Sequence, residues 1–271
     1  MNVHGYLSGN EVHDRVIRSF VNGIPEKHKV ILIDDWGYDG RANVGIVFGV
    51  YKHKVPVSWP RGGVIRNFKK DNKDVIILET GYLNRGDDWD NHYAAGFNGL
   101  NNRGDFRNHD MPADRPLPPG VELKPWDREI RENILITGQI PWDASCDFIH
   151  LQSWLEHAIT VCKKMTDKRI IYRPHPLLSR DRVRKLGADE VSFNTLEDDL
   201  KGAHCVVTFN SNSGVDALMA GVPVFYGDVG FMGRDVATPF EPATYGLLDT
   251  PPDYDRQQWL NDLLYTIGPG S

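Results

Sequence analysis

Apolar residues along this chain fall into short, β-branched runs separated by segments with helical spacing. Val30–Ile33, Val75–Leu78, Ile134–Thr137, Arg169–Tyr172, Cys205–Phe209 and Val222–Tyr226 have the length and composition of buried parallel strands. Val12–Val21 and Phe148–Met165 carry apolar side chains three and four positions apart, which predicts helices, and Ser179–Leu186, Val215–Ala220 and Gln257–Ile267 predict shorter ones. Asn43–Val50 fits a helix or a strand, Pro56–Pro60 reads as extended, and Asp198–Gly202 as a turn or short helix. Strand and helix alternate, so the expected class is α/β with parallel sheets covered on both faces.

The alternation stops between Asn84 and Pro125, where Gly, Asn, Asp and Pro dominate. Trp89, Tyr93, Phe97 and Phe106 argue for an ordered functional loop over 84–110 rather than disorder. Pro112–Pro125 reads as a linker. The expected organisation is an acceptor-side Rossmann-like unit at 1–125, a second Rossmann-like unit at 126–255 that binds a nucleotide-sugar, and a C-terminal helix and tail at 256–271. Sheets of this kind bind ligands outside the carboxyl ends of their strands. Glu79-Thr80, Gly138-Gln139, Arg173–His175 and Asn210–Ser213 all follow predicted strands, so a ligand cleft is expected where the two units face each other.

Composition narrows the class further. The chain has 271 residues, 40% hydrophobic and 25% charged, ordinary values for a globular protein. It has no apolar run of the roughly 18–20 residues that span a bilayer and no charged-then-apolar leader at the N-terminus. Cys146, Cys162 and Cys205 are scattered, with no CxxC pair, and read as free thiols of a reducing compartment, the cytoplasm. The net charge of −6 argues against a general nucleic-acid binder. Yet Tyr51–Lys73 holds seven basic residues (Lys52, Lys54, Arg61, Arg66, Lys69, Lys70, Lys73) against one acid, a local net of +6, interleaved with Phe48, Tyr51, Trp59 and Phe68. Lys52, Lys54, Trp59, Arg61, Arg66, Lys69 and Lys70 are therefore candidates for binding a nucleic-acid backbone, and the competing reading is a solvated basic face.

The chemistry centres on Cys205–Gly227, a strand, a polar loop and a helix closed by Gly221. The loop Asn210-Ser211-Asn212-Ser213-Gly214 offers backbone N–H groups, two hydroxyls and a helix dipole to an anion, or else simply caps the helix. Arg173 and His175, the latter fixed between Pro174 and Pro176, suit a diphosphate whose charge grows as it leaves. Asp216 either accepts from a ribose or stabilises the helix start. Glu79 is a candidate base for an attacking hydroxyl, with Asp87 and Asp88 as competitors and Asp90 nearby. The sequence has no GxxxxGK[ST], HExxH or GxSxG, which disfavours P-loop, zincin and hydrolase chemistry. No carboxylate spacing demands a metal.

Three segments then resemble one family: Gly138-Gln139-Ile140-Pro141-Trp142-Asp143-Ala144-Ser145, Tyr172-Arg173-Pro174-His175-Pro176, and Ser213-Gly214-Val215-Asp216-Ala217-Leu218 followed by Gly221-Val222-Pro223-Val224. Together they are similar to the capsule-polysaccharide synthesis glycosyltransferases, whose sugar-transferring domains have the two-unit GT-B fold. Trp36-Gly37 and Leu78–Leu83 resemble, more faintly, that family's Trp-Gly turn and Glu-Asp-Gly-Phe-Leu segment. Thr80 stands where the family has Asp, and Asp216 where it has Glu. The resemblance implies an enzyme that transfers sugar from a nucleotide-sugar, a UDP-sugar ahead of a CMP-sugar, without a metal. His175 and Ser211–Ser213 would hold the donor phosphates, with Gly138, Gln139, Arg173, Asn210, Asn212, Gly214 and Asp216 around them. Direct displacement would invert the anomeric centre. The acceptor expected first is a 5-hydroxymethyl-pyrimidine in phage DNA, which would place the protein in the host cytoplasm, as phage DNA glycosyltransferases of GT-B type modify. The alternatives are a capsule or lipid-linked saccharide acceptor, or an inactive sugar-nucleotide-binding module.

Overall fold

The computed structural model describes residues 1–50, 60–83, 85, 92–127, 129–146 and 148–269. Two compact units divide the chain: Met1–Val121 with Leu260–Ser271, and Glu122–Trp259.

In the first unit the chain runs β1 (Asn2–Tyr6), α1 (Glu11–Asn22), β2 (Lys29–Ile33), β3 (Val44–Phe48), α2 (Pro60–Lys70), β4 (Asp74–Thr80) and β5 (His92–Phe97). The sheet order is β12-β5-β4-β3-β1-β2, where β12 (Ile267–Pro269) follows the last helix, α6 (Gln257–Leu264). Strands β1 to β4 are parallel; β5 runs antiparallel to β4, and β12 antiparallel to β5, so β12 runs again in the direction of β1 to β4. Side chains alternate across each strand. Val3 and Leu7 pack with Val16 and Ile17 of α1, while Tyr6 and Val47 pack with Val64 and Phe68 of α2. Burial on both faces explains why β3 and β4 read as continuous apolar runs.

The second unit runs β6 (Asn133–Thr137), α3 (Leu151–Met165), β7 (Arg169–Arg173), β8 (Glu190–Val191), α4 (Leu196–Lys201), β9 (Ala203–Thr208), α5 (Asn212–Met219), β10 (Val224–Tyr226) and β11 (Thr238–Pro239). Its order, β11-β10-β9-β6-β7-β8, is all parallel. Counted within the unit this is 3-2-1-4-5-6, the doubly wound order, which reverses between β6 and β9. Ile134, Ile136, Ile170, Cys205, Val207 and Phe225 form the core against Leu155, Ile159 and Cys162 of α3. All three cysteines are buried free thiols.

The structure corrects several elements expected from the pattern. Strand β1 was not expected, and β5 forms inside the stretch expected to be irregular. Asn43–Val50 resolves as a strand. The helix expected over Ser179–Leu186 is only a 3₁₀ turn at Arg180–Arg182, because the chain is extended again at Val183 (φ −77°, ψ 126°). The final helix ends at Leu264, and Thr266 Oγ1 donates to Leu263 O as the chain turns into β12. Of the stretch Pro56–Pro60 expected to be extended, residues 56–59 lie outside the described residues, and Pro60 instead opens α2, where a proline fits the first helical turn.

Arg256 locks the second unit internally. The residue is 6% exposed, and its guanidinium donates to Leu218 O at the end of α5 and to Lys124 O at 2.7 Å and lies 3.8 Å from the Trp126 ring centroid. Burial lowers its pKa, opposed by Asp253. Arg256→Ala leaves the buried Leu218 carbonyl and the part-buried Lys124 carbonyl without their charged donor. Urea denaturation followed by tryptophan fluorescence is expected to show a loss of about 2–3 kcal/mol.

Candidate functional site

The strand ends of the second unit are held level by register: Arg173, Thr137, Thr208 and Tyr226 pair across β7, β6, β9 and β10. The reversal between β6 and β9 opens a crevice beyond Thr137 and Thr208, because the connections leave on opposite sides.

Gln139 and Asn210 close the base of that crevice. Gln139 Nε2 donates to Asn210 Oδ1 at 2.7 Å, and Asn210 N–H donates to Gln139 Oε1 at 3.1 Å. Asn210 Nδ2 donates to Ser145 O at 3.0 Å and to Asp228 Oδ2 at 2.8 Å. Asp228 Oδ2 also accepts from Gly230 N–H, and Asp143 Oδ1 accepts from Ser145 N–H and Oγ–H. Gln139 and Asn210 are 8% and 5% exposed. Their amides are engaged with protein, so both residues act by holding the loops after β6, β9 and β10 in one arrangement.

Beyond this strut, the loop after β9 opens into α5. Ser211 caps the helix in extended conformation, its Oγ accepting from Ser213 N–H at 3.3 Å and from Ser213 Oγ–H at 3.0 Å. Ser211 N–H donates to Thr208 Oγ1. The helix starts at Asn212, three residues before the position expected, so its first turn contains the serine loop itself. A Cβ on Gly214 would lie 2.7 Å from the Phe231 ring and 3.0 Å from Thr208 Cγ2, so only glycine lets the helix start sit this close to β9. Asp216 is half-buried one turn in, and Gly221, at φ 82°, ends the turn after the helix.

Two further strands contribute. Gly138 N–H donates to Arg173 O at 2.8 Å. His175 follows β7, and its Nδ1 accepts from Leu177 N–H at 3.2 Å, which leaves Nε2 as the proton-bearing nitrogen of the neutral ring. β7 and β9 both flank β6, so His175 and the serine loop lie at the same end of the sheet, on strands about 10 Å apart. Arg173, by contrast, is tied down: it is 14% exposed and pairs with Asp199 at 3.2 Å and with Asn194 O at 2.5 Å. Thr137 Oγ1, which the sequence did not single out as functional, is buried at the end of β6 with no hydrogen-bond partner among the described residues.

A cavity of about 340 Å³ opens between α3 and residues 178–186, with Gln139 and Tyr172 in its wall and the exposed Arg182 and Arg184 also lining it. Burial pushes the Tyr172 hydroxyl up to about 12.

The first unit has the same kind of helix opening after β1, but its donors are already taken. Asp14 Oδ1 accepts from Ser8 N–H at 2.6 Å and Ser8 Oγ–H at 3.0 Å, and Asp14 Oδ2 accepts from Gly9 N–H at 3.0 Å.

Glu79 is half-buried at the end of β4, where its Oε1 accepts from Thr80 N–H at 3.0 Å. The half-buried Arg61 side chain faces it, next to Gly49 at φ 69°; burial lowers the Arg61 pKa and Glu79 opposes that shift. Arg61 therefore does not stand on an open basic face. Arg66 is half-buried too, whereas Lys69 and Lys70 are exposed in the last turn of α2. Phe48 and Phe68 are core residues rather than stacking platforms, 5% and 0% exposed. Lys52, Lys54, Trp59, Asp87 and Asp88 lie outside the described residues.

Two predominantly parallel six-stranded sheets, one in each unit, define a GT-B-type fold. The chain is similar over 97% of its length to 90% of a β-Kdo 2,7-transferase structure, KpsC of Thermosulfurimonas dismutans, with TM-score 0.56 and 17% identity. It is likewise similar over 96% of its length to 89% of a β-Kdo 2,4-transferase structure, also titled KpsC of that organism, with TM-score 0.56 and 13% identity. No protein-family model matches the sequence, and no curated protein matches it.

The strut yields a stability prediction. Asn210→Ala strands a buried glutamine amide and is expected to cost about 1–3 kcal/mol in urea denaturation. Asn210→Asp sets a second carboxylate against Asp228 and the Ser145 carbonyl and is expected to cost more.

Proposed function

We propose that the protein is a glycosyltransferase that moves a sugar from a nucleotide-sugar to a hydroxyl acceptor, with the donor held by the second unit. The observation that carries this reading is the opening of α5 at the sheet reversal, where a serine-capped helix start, His175 and the buried Gln139–Asn210 strut share one end of the sheet. Backbone N–H groups and hydroxyls at a helix start receive phosphate oxygens. A neutral His175 with its proton on Nε2 donates toward the oxygen that gains charge as the sugar leaves. The neighbouring cavity has the size of a small-molecule site and takes the base and ribose.

In the reaction the acceptor oxygen forms the new bond to the anomeric carbon while the bond to the nucleotide phosphate oxygen breaks. The electron pair stays on the nucleotide, and the acceptor proton passes to a carboxylate. Displacement in one step inverts the anomeric centre. Glu79 is our candidate base, with Asp87 and Asp88 as the alternatives. None of these steps assigns a role to a metal.

For the acceptor we favour a saccharide hydroxyl. Two similar structures are titled Kdo transferases, which makes keto-acid sugar nucleotides the first donors to test and CMP-linked sugars as pressing as UDP-linked ones. Hydroxymethylated DNA is the second reading, favoured by the exposed Lys69 and Lys70 at the end of α2.

Incubation with a panel of UDP- and CMP-sugars, against saccharide acceptors and hydroxymethylated DNA digested to nucleosides, tests both. Transfer from at least one donor is expected. Donor binding with no transfer or hydrolysis would instead make the chain a binding module. His175→Ala is expected to lower kcat by about 10²–10³ if the ring meets the departing charge. Unchanged turnover removes it from that role. Glu79→Gln is expected to abolish transfer while leaving nucleotide affinity unchanged, as read by calorimetry.

A further inference from the structure

Sheet edges expose unpaired backbone groups, and proteins usually blunt them. Three of the four edges formed by the described residues are blunted. β8 has two residues, with Glu190 paired to Arg169 at 2.5 Å. β11 has two residues and ends in Pro239. β12 has three and ends in Pro269.

The fourth edge, β2, is different. Its five residues Lys29-Val30-Ile31-Leu32-Ile33 contain no proline, and Ile31 and Leu32 are 37% and 36% exposed. Lys29 N–H donates to Met1 O at 2.9 Å and Ile33 O accepts from Leu7 N–H at 2.8 Å. In a parallel ladder alternate residues bond to the same neighbour, so positions 29, 31 and 33 serve β1. Val30 and Leu32 then turn their N–H and C=O groups to the open side.

The flanks of this strand are oppositely charged. Lys27 and His28 precede it, Asp34 and Asp35 follow it, and Lys27, Asp34 and Asp35 are exposed. We propose that β2 pairs antiparallel with β2 of a second copy of this chain, about a two-fold axis through Ile31. This register sets Val30 opposite Leu32 with their outward groups matched, and Ile31 opposite its own copy. It also sets Lys27 opposite Asp35 and His28 opposite Asp34, each twice by symmetry. Antiparallel strands meet each basic flank with an acidic one, whereas parallel pairing would set Asp against Asp. The contact is isologous and closed, so it stops at two copies. A strand pair alone buries less than the roughly 1,200 Å² of a standard interface, so the dimer is weak and concentration-dependent.

Sedimentation equilibrium of the full chain over a concentration series tests this. The wild type is expected to move from monomer to dimer. Ile31→Lys and Ile31→Glu are each expected to stay monomeric, since each sets like charges face to face, and their equimolar mixture is expected to dimerise. Circular dichroism checks that both variants fold. If either does not, Lys27→Asp and Asp35→Lys replace them: each alone is expected to weaken the dimer and the double variant to restore it. A wild type that is monomeric throughout, a dimer undiminished by the single variants, or a mixture or double variant no better than its parts overturns the proposal.

Discussion

The buried amide pair Gln139–Asn210 is the constraint on which the second unit's site depends. A doubly wound sheet opens a crevice where its strand order reverses, but the loops leaving β6 and β9 are otherwise free to collapse into it or splay from it. Two side-chain amides bonded to one another across that reversal fix the separation of the loops. Asn210 extends the tie to Ser145 O and Asp228, bringing in the loops after β6 and β10. Buried amides are costly when unpaired and rigid when satisfied, so they hold one geometry. The opening of α5 sits directly on this base, and its cap keeps two hydroxyls and a helix start facing the same space.

The two units use the same local device differently. After β1 the chain also passes through a small-residue loop into a helix, and there Asp14 occupies the donors of Ser8 and Gly9. An anion binding at that place would have to displace a carboxylate already in ideal range. After β9 the hydroxyls of Ser211 and Ser213 bond to one another, and a phosphate can replace that weak mutual contact with charge-assisted ones. The difference supports the proposal that the second unit takes the phosphate, since among the described residues the hydroxyls there face no carboxylate of the kind Asp14 presents in the first unit.

Much of this was legible in the residues. The apolar runs of β6, β7 and β9 stood out because strands covered on both faces have no polar alternation to hide them. Gly221 marked a true helix end, its φ of 82° open only to glycine without strain. Strand β1 was missed because His4 and Gly5 interrupt its apolar run: His4 is buried near Asp39, and Gly5 makes room for Leu32 and Ile17. Strand β5 was hidden by Ala94, Ala95 and Gly96, small residues whose place is set by pairing with β4 and by Phe106 lying against Gly96. Arg173 looked like a phosphate ligand because its partner, Asp199, lies 26 residues further on, in a helix that no local pattern ties to β7. Arg61 likewise looked like part of a basic face, and only the fold sets it opposite Glu79.

The central claim is that a nucleotide's phosphates bind where α5 opens after β9. Amide hydrogen exchange with and without UDP, and in parallel with CMP, measures it most directly. The account predicts that at least one nucleotide slows exchange in the segment from Thr208 to Val215 and at Gly138, while exchange from Ser8 to Glu11 stays unchanged. Protection at Ser8–Glu11 in place of Thr208–Val215, or no protection at Thr208–Val215 with either nucleotide bound, would contradict it.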